Sequence, residues 1–210
     1  MGLEVVNVAD RVSPVRTLIY GHPGCGKTTL ASGAPNPIFL DYENSTEVLK
    51  KTGINVSTLG NSAKDLRDFG KVIKWIENDA PKAGFEAIVV DTVSSMNHVF
   101  LHEHMIQATK GGSKRDLHMA LFADFRKNKN QMVDLYFTLA ESPLNVVLLS
   151  HSKEIKDETG KVLEIRPDLP PATQKAIEQL TNELFYMTRT VKPASMGGQT
   201  QRKIVVNAEG

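Results

Sequence analysis

The stretch GHPGCGKT, residues 21–28, decides the fold. It fits the pattern G-x-x-x-x-G-K-[ST] at every fixed position. The apolar run TLIY (17–20) leads into it, and the helix-forming stretch TTLASGA (28–34) leads out. That is the strand–loop–helix context in which such a loop cradles phosphate. Gly21, Gly24 and Gly26 let backbone N–H groups turn inward around phosphate oxygens. The start of the following helix faces the same anion. Lys27 supplies a point charge for the β- and γ-phosphates, and Thr28 a hydroxyl for Mg²⁺. The predicted nucleotide-binding residues are therefore Gly21, His22, Pro23, Gly24, Cys25, Gly26, Lys27, Thr28 and Thr29.

Outward from this loop, four short apolar runs read as buried strands: VRTLIY (15–20), PIFLDY (37–42), FEAIVVD (85–91) and NVVLLSH (145–151). They are too short for core helices, and Gly, Pro or Asn lies beside most of them. Leu66, Phe69, Val72, Ile73 and Ile76 recur at helical spacing. Leu117, Leu121, Phe125, Met132, Leu135 and Leu139 do the same, which predicts a long helix from Asp116 to Ala140. After Pro170-Pro171 a short helix is expected, with Ala176, Ile177, Leu180 and Leu184 on one face. FYMTRTV (185–191) and RKIVVN (202–207) then read as a closing hairpin. Strands alternating with helices imply an α/β fold with a mostly parallel sheet covered on both faces. The segments 109–114 and 152–171 read as loops with little structure of their own, a pattern associated with function or disorder.

Composition narrows the function. The 210 residues carry 25 Lys+Arg and 24 Asp+Glu, so any polyanion site must be local rather than a global basic field. With one cysteine, Cys25, an intramolecular disulfide cannot form, and a reducing, cytoplasmic setting is expected. No apolar run approaches the length of a membrane-spanning helix, so no membrane partner is expected.

Asp91 ends a strand of four apolar residues followed by an acid, the pattern that holds Mg²⁺ opposite a P-loop. Many P-loop ATPases place a Glu directly after that Asp; here the position is Thr92, so the base must lie elsewhere. Glu43, just beyond the strand IFLD, is the candidate general base, and Asp41 competes for the role. His151 leaves the fourth strand at the same sheet edge and is the candidate sensor of the γ-phosphate.

In this order, IFLDYENSTEVLKKTGINVSTL, EAIVVDTVSS, NVVLLSHSKEIKDETGKV and FYMTRTVKPASMGGQTQRKIVVNAEG resemble the RecA-like recombinase core over residues 15–210. In style the chain is similar to short, core-only AAA-family ATPases of bacteriophages that act in single-strand annealing and recombination. The resemblance implies a core strand order of 5-1-4-3-2. It implies Mg-ATP at residues 21–28, Glu43 as base, Asp91 on the metal and His151 as sensor. It also implies two DNA loops, one with Lys110, Lys114 and Arg115, the other with Lys153, Lys156 and Arg166. Lys192 would reach the nucleotide of a neighbouring subunit in a ring or filament, and residues 1–14 would be a candidate oligomerisation arm. The expected partners are single-stranded DNA, copies of the same chain and a single-stranded-DNA-binding protein. A P-loop small-molecule kinase and an ATP-switched interaction module with little hydrolysis are the alternatives. The basic residues left over for phosphoryl transfer lie in the closing hairpin, Arg189, Lys192, Arg202 and Lys203, and of these the resemblance puts Lys192 at the subunit interface.

Overall fold

Four apolar strands alternate strictly between two buried faces in the computed structural model, which describes residues 13–110, 116–117, 119–191 and 200–206. The strands are β1 (Arg16–Gly21), β2 (Pro37–Asp41), β4 (Ala87–Asp91) and β5 (Asn145–Ser150). Leu18, Ile38, Leu40, Ile88, Val90, Val146 and Leu148 point into one core. Ile19, Phe39, Val89 and Leu149 point into the other. This period of two, doubled because both faces are covered, makes each strand a continuous apolar run in the sequence.

The sheet has seven strands in the order β3-β2-β4-β5-β1-β8-β9. Here β3 is Ser57–Thr58, β8 Glu183–Val191 and β9 Thr200–Val206. All neighbours run parallel except β8 and β9, which form an antiparallel hairpin. The fold class and the core strand order are those the sequence implied. Register carries one layer across the centre: Leu40 pairs with Val90, Val90 with Leu148, and Leu148 with Leu18.

Helices α3 (Phe69–Asn78), α4 (Val93–Lys110), α5 (Phe122–Glu141) and α6 (Pro171–Leu180) cover the larger core. Val72, Ile76, Met96, Phe100, Met132, Leu135, Tyr136, Leu139 and Ile177 supply its helical side. The short helices α1 (Lys27–Ala31) and α2 (Glu47–Lys51) cover the smaller one, where Ala31 and Leu49 pack with buried Cys25.

Three expectations need correction. Segment 152–171 is not structureless: β6 (Ser152–Lys156) and β7 (Val162–Pro167) pair as an antiparallel hairpin, separate from the main sheet. The Asp157 carboxylate fixes its turn by accepting from the N–H groups of Thr159 and Lys161. Helix α5 begins at Phe122, not Asp116. Asp124 Oδ2 accepts from the Leu121 N–H at 2.8 Å and sets the start there, while Leu117, Leu121 and Phe125 stay exposed. Leu184 belongs to β8 rather than to α6, although it packs against the same core. Residues 1–12, Lys114, Arg115 and Lys192 lie outside the described residues.

Candidate functional site

The phosphate loop leaves the end of β1 between two neighbours. On one side β8 approaches so closely that a β-carbon on Gly21 would lie 2.1 Å from the Met187 carbonyl oxygen, so only glycine fits there. Gly26, at φ 104°, holds a left-handed conformation that turns the chain into α1. Lys27 is buried, and its Nζ donates to the carbonyl oxygens of Gly21 (2.8 Å) and His22 (3.2 Å). The ammonium thus rests on the loop's own backbone, at the cradle a phosphate would fill.

On the other side the carboxyl ends of β2, β4 and β5 assemble three acids and one histidine. Asp91 Oδ2 accepts from Thr28 Oγ1 at 2.7 Å and from Ser45 Oγ at 2.5 Å. Asp41 pairs with Asp91 in the sheet register. Burial raises the Asp91 carboxyl above the ordinary range; the Ser45 and Thr28 hydroxyls oppose this, and the Asp41 and Glu43 charges add to it. A buried acid beside two others, facing a threonine hydroxyl, is a site short of positive charge. The donor set therefore fits a magnesium ion held by Thr28 and Asp91 together with nucleotide phosphates. Mg²⁺ is usually bound by one or two carboxylates plus phosphates. Among the described residues there is no cluster of three or more His, Cys, Asp or Glu that could hold a metal ion by itself.

Asp41 and Glu43 divide clearly by what they touch. Both oxygens of Asp41 are occupied by its own turn: Oδ1 accepts from the N–H groups of Glu43 and Ser45, and Oδ2 from the N–H and hydroxyl of Thr46. Asp41 holds the loop that presents Glu43. Glu43 Oε1 instead gathers three side chains. Thr92 Oγ1 donates at 2.7 Å, His151 Nε2 lies at 2.6 Å, and Ser95 Oγ also donates to it. Burial alone would raise this carboxyl. The bonds from His151, Ser95 and Thr92, with the charge of His151, outweigh it and bring the pKa down to about 2.

His151 is fixed at its backbone. Its N–H donates to Ser94 Oγ at 3.1 Å, and its carbonyl accepts from the Asp168 N–H at 2.7 Å. Ser94 and the fully buried Ser150 share a further bond at 3.1 Å. The ring atom Nδ1 is buried and has no hydrogen-bond partner among the described residues. The structure thus brings Thr28, Glu43, Asp91 and His151 to one place.

The predicted DNA-loop cations are dispersed. Lys110 ends α4. Lys153 lies 3.7 Å from Asp168, and Lys156 lies 2.9 Å from Glu154. Arg166, opposite Lys153 in the β6–β7 register, has no acidic partner among the described residues. Sequence reasoning missed Ser45, Thr92 and Ser95. The signal was available for two of them, since hydroxyl residues fill the first and fourth positions after Asp91, one helical turn apart. Arg189 and Arg202, named in the sequence only as basic residues of the closing hairpin, lie against the phosphate loop of their own chain.

Loop, sheet order and carboxylates together define a P-loop ATPase core of the RecA-like type. A family model described as an AAA domain matches residues 13–209, and the chain belongs to that family. Among solved structures, a KaiC-like protein from the hyperthermophilic archaeon Pyrococcus horikoshii OT3 aligns with TM-score 0.51 and 14% identity. The alignment covers 92% of this chain and 78% of that one, and the likeness is one of fold. The flagellar accessory protein FlaH from Methanocaldococcus jannaschii aligns with TM-score 0.46 and 13% identity, over 93% and 79% of the two chains. No curated protein matches the sequence. Among the described residues, no helix is long and apolar enough to cross a membrane.

Proposed function

We propose that the protein hydrolyses Mg-ATP and works on single-stranded DNA as a RecA-like oligomer. The observation that carries the hydrolysis reading is the Glu43 carboxylate, held by Thr92, Ser95 and His151 beside the Thr28–Asp91 pair. Glu43 orients the attacking water and accepts its proton. Lys27 turns from the loop carbonyls to the phosphates. Thr28 and Asp91 would hold Mg²⁺, which would supply neutralisation of the charge that develops on the phosphates as the γ-phosphoryl passes to water and ADP leaves. Three donors keep Glu43 ionised at neutral pH, but each also lowers its basicity. Full activity therefore requires His151 to loosen its grip, and His151 is joined directly to the β6–β7 hairpin.

The DNA reading is supported by what surrounds that hairpin. A groove of about 760 Å³ runs between α4, the start of α5 and the β7–α6 turn. Phe122, 82% exposed, and Phe125 stand beside Arg126, Lys129 and Lys153 on its walls. Exposed aromatic rings next to cations form the surface on which unpaired bases stack. These aromatics lie outside both predicted loops, so the sequence reading had no stacking platform to offer. In the oligomer, Lys192 reaches a neighbour's nucleotide. The deciding experiment is ATP hydrolysis measured with and without single-stranded DNA over a range of protein concentrations. Turnover that DNA raises, and that climbs with protein concentration, is expected. Turnover indifferent to both leaves a plain ATPase.

A further inference from the structure

The side of the phosphate loop away from the carboxylates is positively charged, and its charges come from the same chain. Arg189 on β8 lies two residues beyond Met187, whose carbonyl crowds Gly21. Arg202 on β9 is its direct cross-strand partner. A β-carbon on Gly24 would sit 3.7 Å from Arg189 Nη1, and one on Gly26 only 3.1 Å from Arg202 Nε. Both guanidinium groups therefore border the loop itself. Like charges directly opposite across a hairpin repel. Neither arginine has an acidic partner among the described residues. Two guanidinium groups without an acidic partner among the described residues, set side by side against the phosphate loop, form an anion site with a fork geometry suited to phosphate.

The sheet order fixes which part of the anion they face. β1 lies between β5 and β8, so the arginines and the Asp41–Glu43–Asp91 cluster flank the loop from opposite sides. The Thr28–Asp91 pair marks the metal side, where the terminal phosphate reacts. We propose that Arg189 and Arg202 act in cis as a clamp on the phosphates nearer the nucleoside, as residues of affinity rather than of turnover. This rests on the phosphate-loop reading above and deepens it.

The test is ADP titration by calorimetry with wild type, Arg189→Ala, Arg202→Ala, Arg202→Lys and Lys27→Ala, at dilutions where light scattering shows a monomer. Each arginine-to-alanine change should weaken ADP binding about tenfold, the scale of a hydrogen bond to a charged group. Arg202→Lys should recover part of the loss, because it keeps charge without the fork. In hydrolysis assays the loss should fall on KM and kcat/KM rather than on kcat. Both arginines are exposed, so circular dichroism should show an intact fold. Unchanged ADP affinity in both alanine variants, with Lys27→Ala impaired, would overturn the clamp and leave the loop reading standing. A defect confined to the oligomer, or to kcat alone, would overturn the cis assignment. Normal ADP binding by Lys27→Ala would remove the loop reading itself.

Discussion

His151 Nε2 stands 2.6 Å from Glu43 Oε1, although 108 residues separate them in the chain. The contact exists because β5 and β2 flank β4 and end at the same edge of the sheet. It links the candidate base to the β6–β7 hairpin through one peptide, since the His151 carbonyl also receives the Asp168 N–H. A displacement of the hairpin is therefore felt at the carboxylate.

Glu43→Gln should retain ATP binding and lose roughly 10²-fold in single-turnover hydrolysis, the scale of a missing general base. Asp41→Ala should not reproduce that pattern. It removes the acceptor of several turn donors, so it should cost about 2 kcal/mol of stability in urea unfolding. If Asp41→Asn were the slow, well-folded variant instead, the two roles would be reversed.

Acid should weaken the fold through Glu43. Its pKa falls from 4.5 in the unfolded chain to about 2 in the folded one, so between these values the unfolded state binds more protons. Its contribution is complete above about pH 4.5 and disappears as pH drops toward 2. His151→Ala removes the largest opposing bond, which brings the folded pKa back toward the ordinary value. The stability of that variant, followed by urea unfolding against pH, should fall less steeply across this window.

Asp91 should show a trade between stability and function. The charged carboxylate is penalised by burial and by two neighbouring acids. Asp91→Asn keeps an acceptor for Thr28 and Ser45 but removes the charge. The nucleotide-free variant should melt at a higher temperature than wild type at pH 7. Its Mg-ATP hydrolysis should fall by roughly 10²-fold, the scale of a lost electrostatic stabiliser. A lower melting temperature would contradict the electrostatic account.

Among the hairpin cations, Arg166 should matter most for DNA. Each lost phosphate contact removes about 0.7 from the slope of log K against log salt on single strands. Arg166→Ala should show that change in fluorescence anisotropy titrations. Lys156→Ala, whose charge is already paired with Glu154, should show less.

The parallel sheet was readable because its strands are buried on both faces and announce themselves as apolar runs. Their order followed from a resemblance anchored on the phosphate loop. Helix α4 was not readable: Ser94, Asn97 and His104 lie buried among its apolar residues and blur the helical period. The β6–β7 hairpin was hidden by its charges, since Lys153, Glu154, Lys156, Glu164 and Arg166 read as a solvated loop. Glu43 and Asp91 were singled out as candidates from their places at strand ends. Their hydroxyl partners escaped notice because such bonds depend on how the β4–α4 and β2–α2 turns fold back on one another.

The two ends of the main sheet are not alike. At one end β3 offers two residues; at the other β9 offers seven, with Ile204, Val205 and Val206 exposed and, among the described residues, pairing with β8 alone. A long open strand is a template for another chain's backbone, and charged side chains are a common protection against such pairing. Arg202 and Lys203 occupy the middle of that strand. Among the described residues β9 is thus the longer of the two sheet edges, and the same arginine that faces the phosphate loop guards that edge. Neutralising it should lower the concentration at which the protein remains in solution.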